Sequence, residues 1–318
     1  MSIYFFSFYR KNILREKRGQ KPMVRTDLAL EAKESVSEKE AGIHGVNVEE
    51  KFHPKTNIRV TKVVIDTRNA AKVLGKPMGQ YITIEAPNMV EEDEDYHREI
   101  SEELAVQLRT MMPDQELSVL VVGLGNRDVT ADALGPSVVE NLFVTRHVVK
   151  TYGKAAFANE SVNLVSCVEP GVTARTGMDA AEIIRGVTKE TTPNLLIVID
   201  ALAARSTKRL NRTIQITNTG IHPGSGVGNH RNSITEESLG VPVIAVGVPT
   251  VVDAATIVND ALQKMFVGTE GEFAQLQEEI QNSMGELYNM YVTGKDVDYE
   301  IKQISHIICD AIHGAFEL

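Results

Sequence analysis

At 318 residues the chain is long enough for one large α/β domain with additions, or for two small domains. Its 42% hydrophobic and 24% charged residues are ordinary for a soluble globular protein, while a net charge of −10, no tryptophan and 5% aromatics argue against a general nucleic-acid binder or a base-stacking surface. No apolar stretch reaches the roughly 18 residues of a membrane helix, and the N-terminus carries its charges after its apolar part, opposite to a secretory signal, so the chain reads as cytoplasmic with no membrane partner.

Residues 1–22 hold six Lys or Arg against Glu16 alone and are foreign to an otherwise acidic chain, so they read as an extension or arm. Met23 to Lys51 reads as polar and locally unstructured. Asn57–Asp66 and Gln80–Glu85 have the patterns of strands. Five acids from Glu91 to Asp95 precede the stripe Ile100, Leu104, Leu108 and Met111, which predicts a solvated helix start. The apolar run Val119–Val122 predicts a strand buried on both faces. Gly123 and Gly125 break it, Asn126, Arg127 and Asp128 form a polar turn, Asp132 sits on the loop, and a helix follows from Pro136 to about His147.

A strand over Val162–Val168, a turn-rich loop and a helix over Asp179–Thr188 come next. A second apolar run, Asn194 to Asp200, again ends in an aspartate. Thr213–Thr217 reads as an edge-like strand. Gly220 to His230 contains four glycines with His222 and His230, a density that marks a functional or mobile loop. Val243–Val248 reads as another buried strand and Val252–Phe266 as a helix, followed by helical patterns over Phe273–Tyr291 and Tyr299–Phe316. Strands alternating with helices predict an α/β fold, a mostly parallel sheet with helices on both faces. Cys167 and Cys309 lie in apolar runs and read as buried free thiols of a reducing compartment; the absence of CxxC leaves a cysteine zinc site unsupported.

The chemistry centres on the strand ends. Gly123-Leu-Gly125 matches half of a dinucleotide fingerprint, but Asp128 stands where its third glycine belongs, and an acid there repels a pyrophosphate. In open α/β sheets ligands bind beyond the carboxyl ends of the strands. Asp132 and Asp200 both lie at that edge, and two neighbouring carboxylates can share one proton and supply a base and an acid to one water. A capping role for each acid is the alternative. A divalent metal held by Asp132, Asp200 and a loop histidine also stays open. G-x-S-x-G as a strand-to-helix turn and H-E-x-x-H are absent.

Several long motifs then stand in one order: Val121-Val-Gly-Leu-Gly-Asn-Arg127, Val129-Thr-Ala-Asp-Ala-Leu-Gly-Pro136, Pro170-Gly-Val-Thr-Ala-Arg-Thr-Gly-Met178, Val198-Ile-Asp-Ala-Leu-Ala-Ala204 and Ile221-His-Pro-Gly-Ser-Gly-Val-Gly-Asn-His-Arg231. From about Val24 to the C-terminus the chain resembles the spore germination protease family. The resemblance implies a phosphorylase/hydrolase-like α/β fold shared with hydrogenase-maturation proteases. It also implies an endopeptidase that initiates degradation of small acid-soluble spore proteins in the spore core. A homotetramer and a precursor that cuts itself are implied as well. It places the family's two aspartates on Asp132 and Asp200, with Asn126, Arg127, His222 and His230 as supporting or substrate-binding residues and His230 as a metal candidate. Family-type cutting after an acid and before an aliphatic residue points to Asp27–Leu28, in a polar and accessible segment. That divides the chain into an extension and propeptide, 1–27, and a single protease domain, 28–318. Ala131, where a proline is common, and residues 1–22 depart from the pattern. A maturation-type metal-dependent endopeptidase of the same fold and a non-enzymatic component that binds spore proteins are the rival readings.

Overall fold

The structure, a computed structural model, describes residues 26–34, 44–157, 162–221, 233–265, 287 and 290–318. His222, His230 and residues 273–286, 288 and 289 of the expected helix over 273–291 lie outside the described residues.

One sheet runs through the described part. Its strands are β1 (Val46–His53), β2 (Ile58–Ile65), β3 (Gly79–Glu85), β4 (Ser118–Gly123), β5 (Leu164–Val168), β6 (Leu195–Ala204), β7 (Thr213–Thr217), β8 (Val243–Asp253) and β9 (Tyr291–Val292). They lie in the order β1-β2-β3-β7-β8-β6-β4-β5, with β9 also on β8. The block β8-β6-β4-β5 is parallel. β1, β2, β3 and β7 extend it through antiparallel pairings, the additional strands of the α/β fold.

Alternation along the parallel strands divides the core. Val119, Val121, Leu195, Ile197 and Ile199 face a layer of three helices: α3 (Glu94–Met111), α4 (Leu134–Asn141) and α6 (Val297–Phe316), which follow α1 (Ala29–Glu34) and α2 (Arg68–Leu74) in the chain or close it. Leu120, Val122, Leu196 and Val198 face the other way, onto Ala181 and Ile184 of α5 (Ala180–Thr191). Each strand is thus apolar on both sides, as buried parallel strands are. The acids before α3 act as its start: Asp93 caps it by accepting from the Tyr96 N–H. A reciprocal capping box of Asp179 and Glu182 starts α5.

Three expectations need correction. Met23–Lys51 is not unstructured where it is described, because α1 and β1 fall in it. Tertiary packing overrides its polar composition: Leu28 to Ala32 are buried, and β1 is an exposed, charged edge strand paired to β2. Thr213–Thr217 is not an edge; β7 lies between β3 and β8 and all five residues are buried. The helix after Pro136 ends at Asn141 instead of running to His147, and a separate helix covers Arg146–Tyr152.

Candidate functional site

The parallel block brings the two aspartates to one edge. β4 and β6 are neighbours paired from Val119–Leu195 to Gly123–Ile199. Beyond Gly123 the chain leaves the sheet and a short turn of 3₁₀ helix, Thr130–Asp132, returns over the strand ends. Asp200 is the next residue of β6 after the last β4 pairing.

Backbone contacts that need glycine hold the return loop in place. Gly125 has φ +117°, and a Cβ there would stand 1.9 Å from the carbonyl oxygen of Asp132. A Cβ on Gly135 would meet the backbone of Leu124 at 2.3 Å and the Ile199 carbonyl at 2.7 Å. The Asn126 N–H donates to the Asp132 carbonyl (3.0 Å), the Leu124 N–H to the Ile199 carbonyl (2.8 Å), and the Thr250 hydroxyl to the Ala131 carbonyl (2.6 Å). The loop is thereby tied to β6 and β8. The G-x-G motif serves close packing around an acid.

Neither aspartate caps a helix. The residue ahead of α4 is Ala133, which makes no side-chain cap, and Asp200 lies within β6 and accepts from the N–H of Ala201 (3.0 Å). Both are half-buried. Burial raises the Asp132 carboxyl above its ordinary range, opposed by a hydrogen bond from the Asn126 backbone. Asp200 is pushed further, up to about 8, by burial first, then by the charge of Asp132, then by that of Asp27. The charge of Asp132 thus bears on Asp200, and the proton is held more tightly on Asp200.

Asp27 is the third acid at the site. Its segment lies along the stretch of β6 that β4 does not cover. The Asp27 N–H donates to the Ala203 carbonyl (3.0 Å), and the Ala203 N–H donates back to the Asp27 carboxylate (2.8 Å). Leu28 is wholly buried against Leu202, Ala204, Leu210, Val252 and Ile257, so the segment is exposed at Asp27 but not at Leu28, contrary to the expected accessibility. Glu31 of α1, 2% exposed, accepts from the N–H groups of Arg205 and Ser206 and lies 3.5 Å from the Arg209 guanidinium.

Arg127 does not reach the aspartates. It pairs with Glu169 (2.6 Å) and approaches Glu140 (3.5 Å), tying the β4 loop to the β5 loop, and Arg175 binds Asp128 beside it (3.0 Å). Asn126 shapes the loop through its backbone and through its side-chain carbonyl, which accepts from the Asp128 N–H. Sequence reasoning missed Lys76 and Gln215, which contact the Asp27–Leu28 segment. A glutamine in the apolar alternation of Thr213-Ile-Gln-Ile-Thr217 was the one available signal, since a buried amide needs partners. Among the described residues no group of three His, Cys, Asp or Glu side chains is arranged to hold a metal.

A family model described as germination protease matches residues 23–270. Proteins named germination protease from Caldanaerobacter subterraneus subsp. tengcongensis and from Clostridium tetani are 45% and 42% identical to the chain, over 92% of it in both cases and over 94% and 95% of the relatives. Among solved structures, the NiFe hydrogenase maturation protease HycI from Thermococcus kodakarensis KOD1 matches with a TM-score of 0.33 and 13% identity, over 65% of this chain and 98% of that one.

Proposed function

The chain belongs to the germination protease family, and from that premise we propose that Asp132 and Asp200 are its catalytic pair and Asp27–Leu28 its self-processing site. It is an endopeptidase of spore germination. This sets aside the reading as a non-enzymatic binding component. The observation that carries the assignment is two half-buried carboxyls brought to one sheet edge, Asp200 by β6 and Asp132 by the loop that returns over the end of the neighbouring parallel strand β4.

In this reading Asp132 is ionised and Asp200 protonated. Water loses a proton to Asp132 as its oxygen bonds to the acyl carbon, and the carbonyl π pair moves onto the acyl oxygen. As the tetrahedral species collapses, the C–N bond breaks and the amide nitrogen takes the proton of Asp200. The products are a carboxylic acid and an amine, with Asp132 protonated and Asp200 ionised. Transfer of that proton from Asp132 to Asp200 restores the pair, and the new acid ionises to solvent.

Small acid-soluble spore proteins are the substrates we assign, the spore core the compartment and a homotetramer the working form. The docked Asp27–Leu28 segment supports a precursor that cuts itself at that bond and releases residues 1–27. Asp132→Asn and Asp200→Asn should each lower the cleavage rate of a spore-protein peptide by at least about a hundredfold, the lower bound for losing a proton-transfer group. Near-normal cleavage by both variants would overturn the assignment.

A further inference from the structure

The Asp27 carbonyl is the acyl oxygen of the bond assigned above to processing. Two side chains donate to it: the Lys76 ammonium at 2.9 Å and the Gln215 amide N–H at 3.1 Å. The remaining contacts hold the flanking chain in register. The other end of the Gln215 amide accepts from the Ala29 N–H at 2.6 Å, one residue past the bond. Lys76 also binds the Thr26 carbonyl at 3.1 Å, one residue before it.

The fold explains how two groups far apart in sequence meet there. α2 ends at Gly75, whose left-handed φ of 64° turns the chain so that Lys76 follows directly on the helix. Gln215 is 6% exposed in the middle of β7. Sheet register sets Gln215 opposite Gly247 of β8, and Gly247 opposite Asp200 of β6. Paired residues on adjacent strands project to the same face, so Gln215 and Asp200 lie on one face of the sheet, two strand spacings or roughly 10 Å apart. The central position of that row, Gly247, has no side chain of its own, and the Leu202 side chain packs over it.

We propose that Lys76 and Gln215 hold the acyl oxygen of the bond being cut and stabilise the negative charge that develops on it. This rests on the reading of Asp132 and Asp200 as the cleaving pair. It assigns the carbonyl to Lys76 and Gln215, which leaves the proton of Asp200 for the departing amide nitrogen. Burial lowers the Lys76 ammonium from its ordinary range, while Asp27 and Glu31 oppose that shift. A desolvated cation acts strongly on an oxygen in direct contact. Removing one preorganised donor from a developing oxyanion costs about 10²–10³ in rate.

The test follows self-processing of the full-length chain, with the new N-terminus sequenced and melting curves recorded for each variant. Lys76→Met should process about a hundredfold or more slowly while melting as a folded protein, Gln215→Met should also be slowed, and Lys76→Arg should recover at least a tenth of the parent rate. If Lys76→Met does not fold, Lys76→Gln takes its place, and it should fall between the parent and complete loss. Rates within about threefold of the parent in folded variants would overturn the proposal, as would a new N-terminus other than Leu28. Asp132→Asn and Asp200→Asn chains run beside them separate the two ideas. Inactive aspartate variants with fully active Lys76 and Gln215 variants would sink this inference alone. Active aspartate variants would sink the catalytic pair.

Discussion

Asp200 bears a cost in the folded state that its unfolded form does not. Its carboxyl holds a proton up to about pH 8, against an ordinary aspartate range near 4. Between those values the folded chain binds one proton that the unfolded chain has lost, so this residue's contribution to stability falls as pH rises through that window. Asp200→Asn removes the titration. The variant is therefore expected to melt above the parent at pH 7, to match it near pH 4, and to gain most of the difference between those two points. Melting curves across pH 4 to 8 read this directly. An inactive variant more stable than its parent is the usual signature of a residue kept for chemistry at the expense of the fold. Gly125 is the opposite case: Gly125→Ala puts a methyl group 1.9 Å from the Asp132 carbonyl at a φ that disfavours side chains. It should lower stability by about 1–3 kcal/mol, measurable by denaturant titration, and displace the loop that positions Asp132.

At the scale of elements, α1 and the residue before it are held by contacts to β6, β7, β8 and the turn after β6. Leu28→Ala empties a site lined by Leu202, Ala204 and Val252 and should weaken docking of that segment by about 2–5 kcal/mol. Because α1 is a single short helix at the start of the described chain, the loss should appear as faster amide exchange over residues 26–34 and slower self-processing, with little change in the main melting transition. These same elements separate what the sequence disclosed from what it concealed. β4 and β6 were legible because both are continuous apolar runs, β6 running into an aspartate and β4 into a glycine-marked loop that carries one. The site's acids followed from those strand ends. α1 and β1 were not legible, since Glu31 is buried through backbone donors from Arg205 and Ser206, about 175 residues away, and β1 is exposed on both faces. Lys76 sits in a turn with no local pattern. Its role depends on α2 ending where it does and on the antiparallel strands reaching across to the parallel block.

For the whole molecule, the coupled pair sets a pH profile. The rate at low substrate should rise as Asp132 ionises, above the usual carboxylate range because burial holds its proton, and should fall as Asp200 loses its proton near pH 8. A bell in kcat/KM with its alkaline limb near 8 is expected, and in Asp200→Asn the residual activity should lose that limb. One further property follows from strand lengths. β4 stops at Gly123, opposite Ile199, while β6 continues to Ala204, and the uncovered length offers an amide hydrogen and a carbonyl that Asp27 now takes. A polypeptide whose own main chain is unpaired can fill that edge, as Asp27 does with its N–H and its carboxylate, whereas a coiled or sheeted segment has already spent its N–H groups on itself. Discrimination between victims and bystanders in a crowded cell would then reside as much in local unravelling as in any pair of residue letters at the cut.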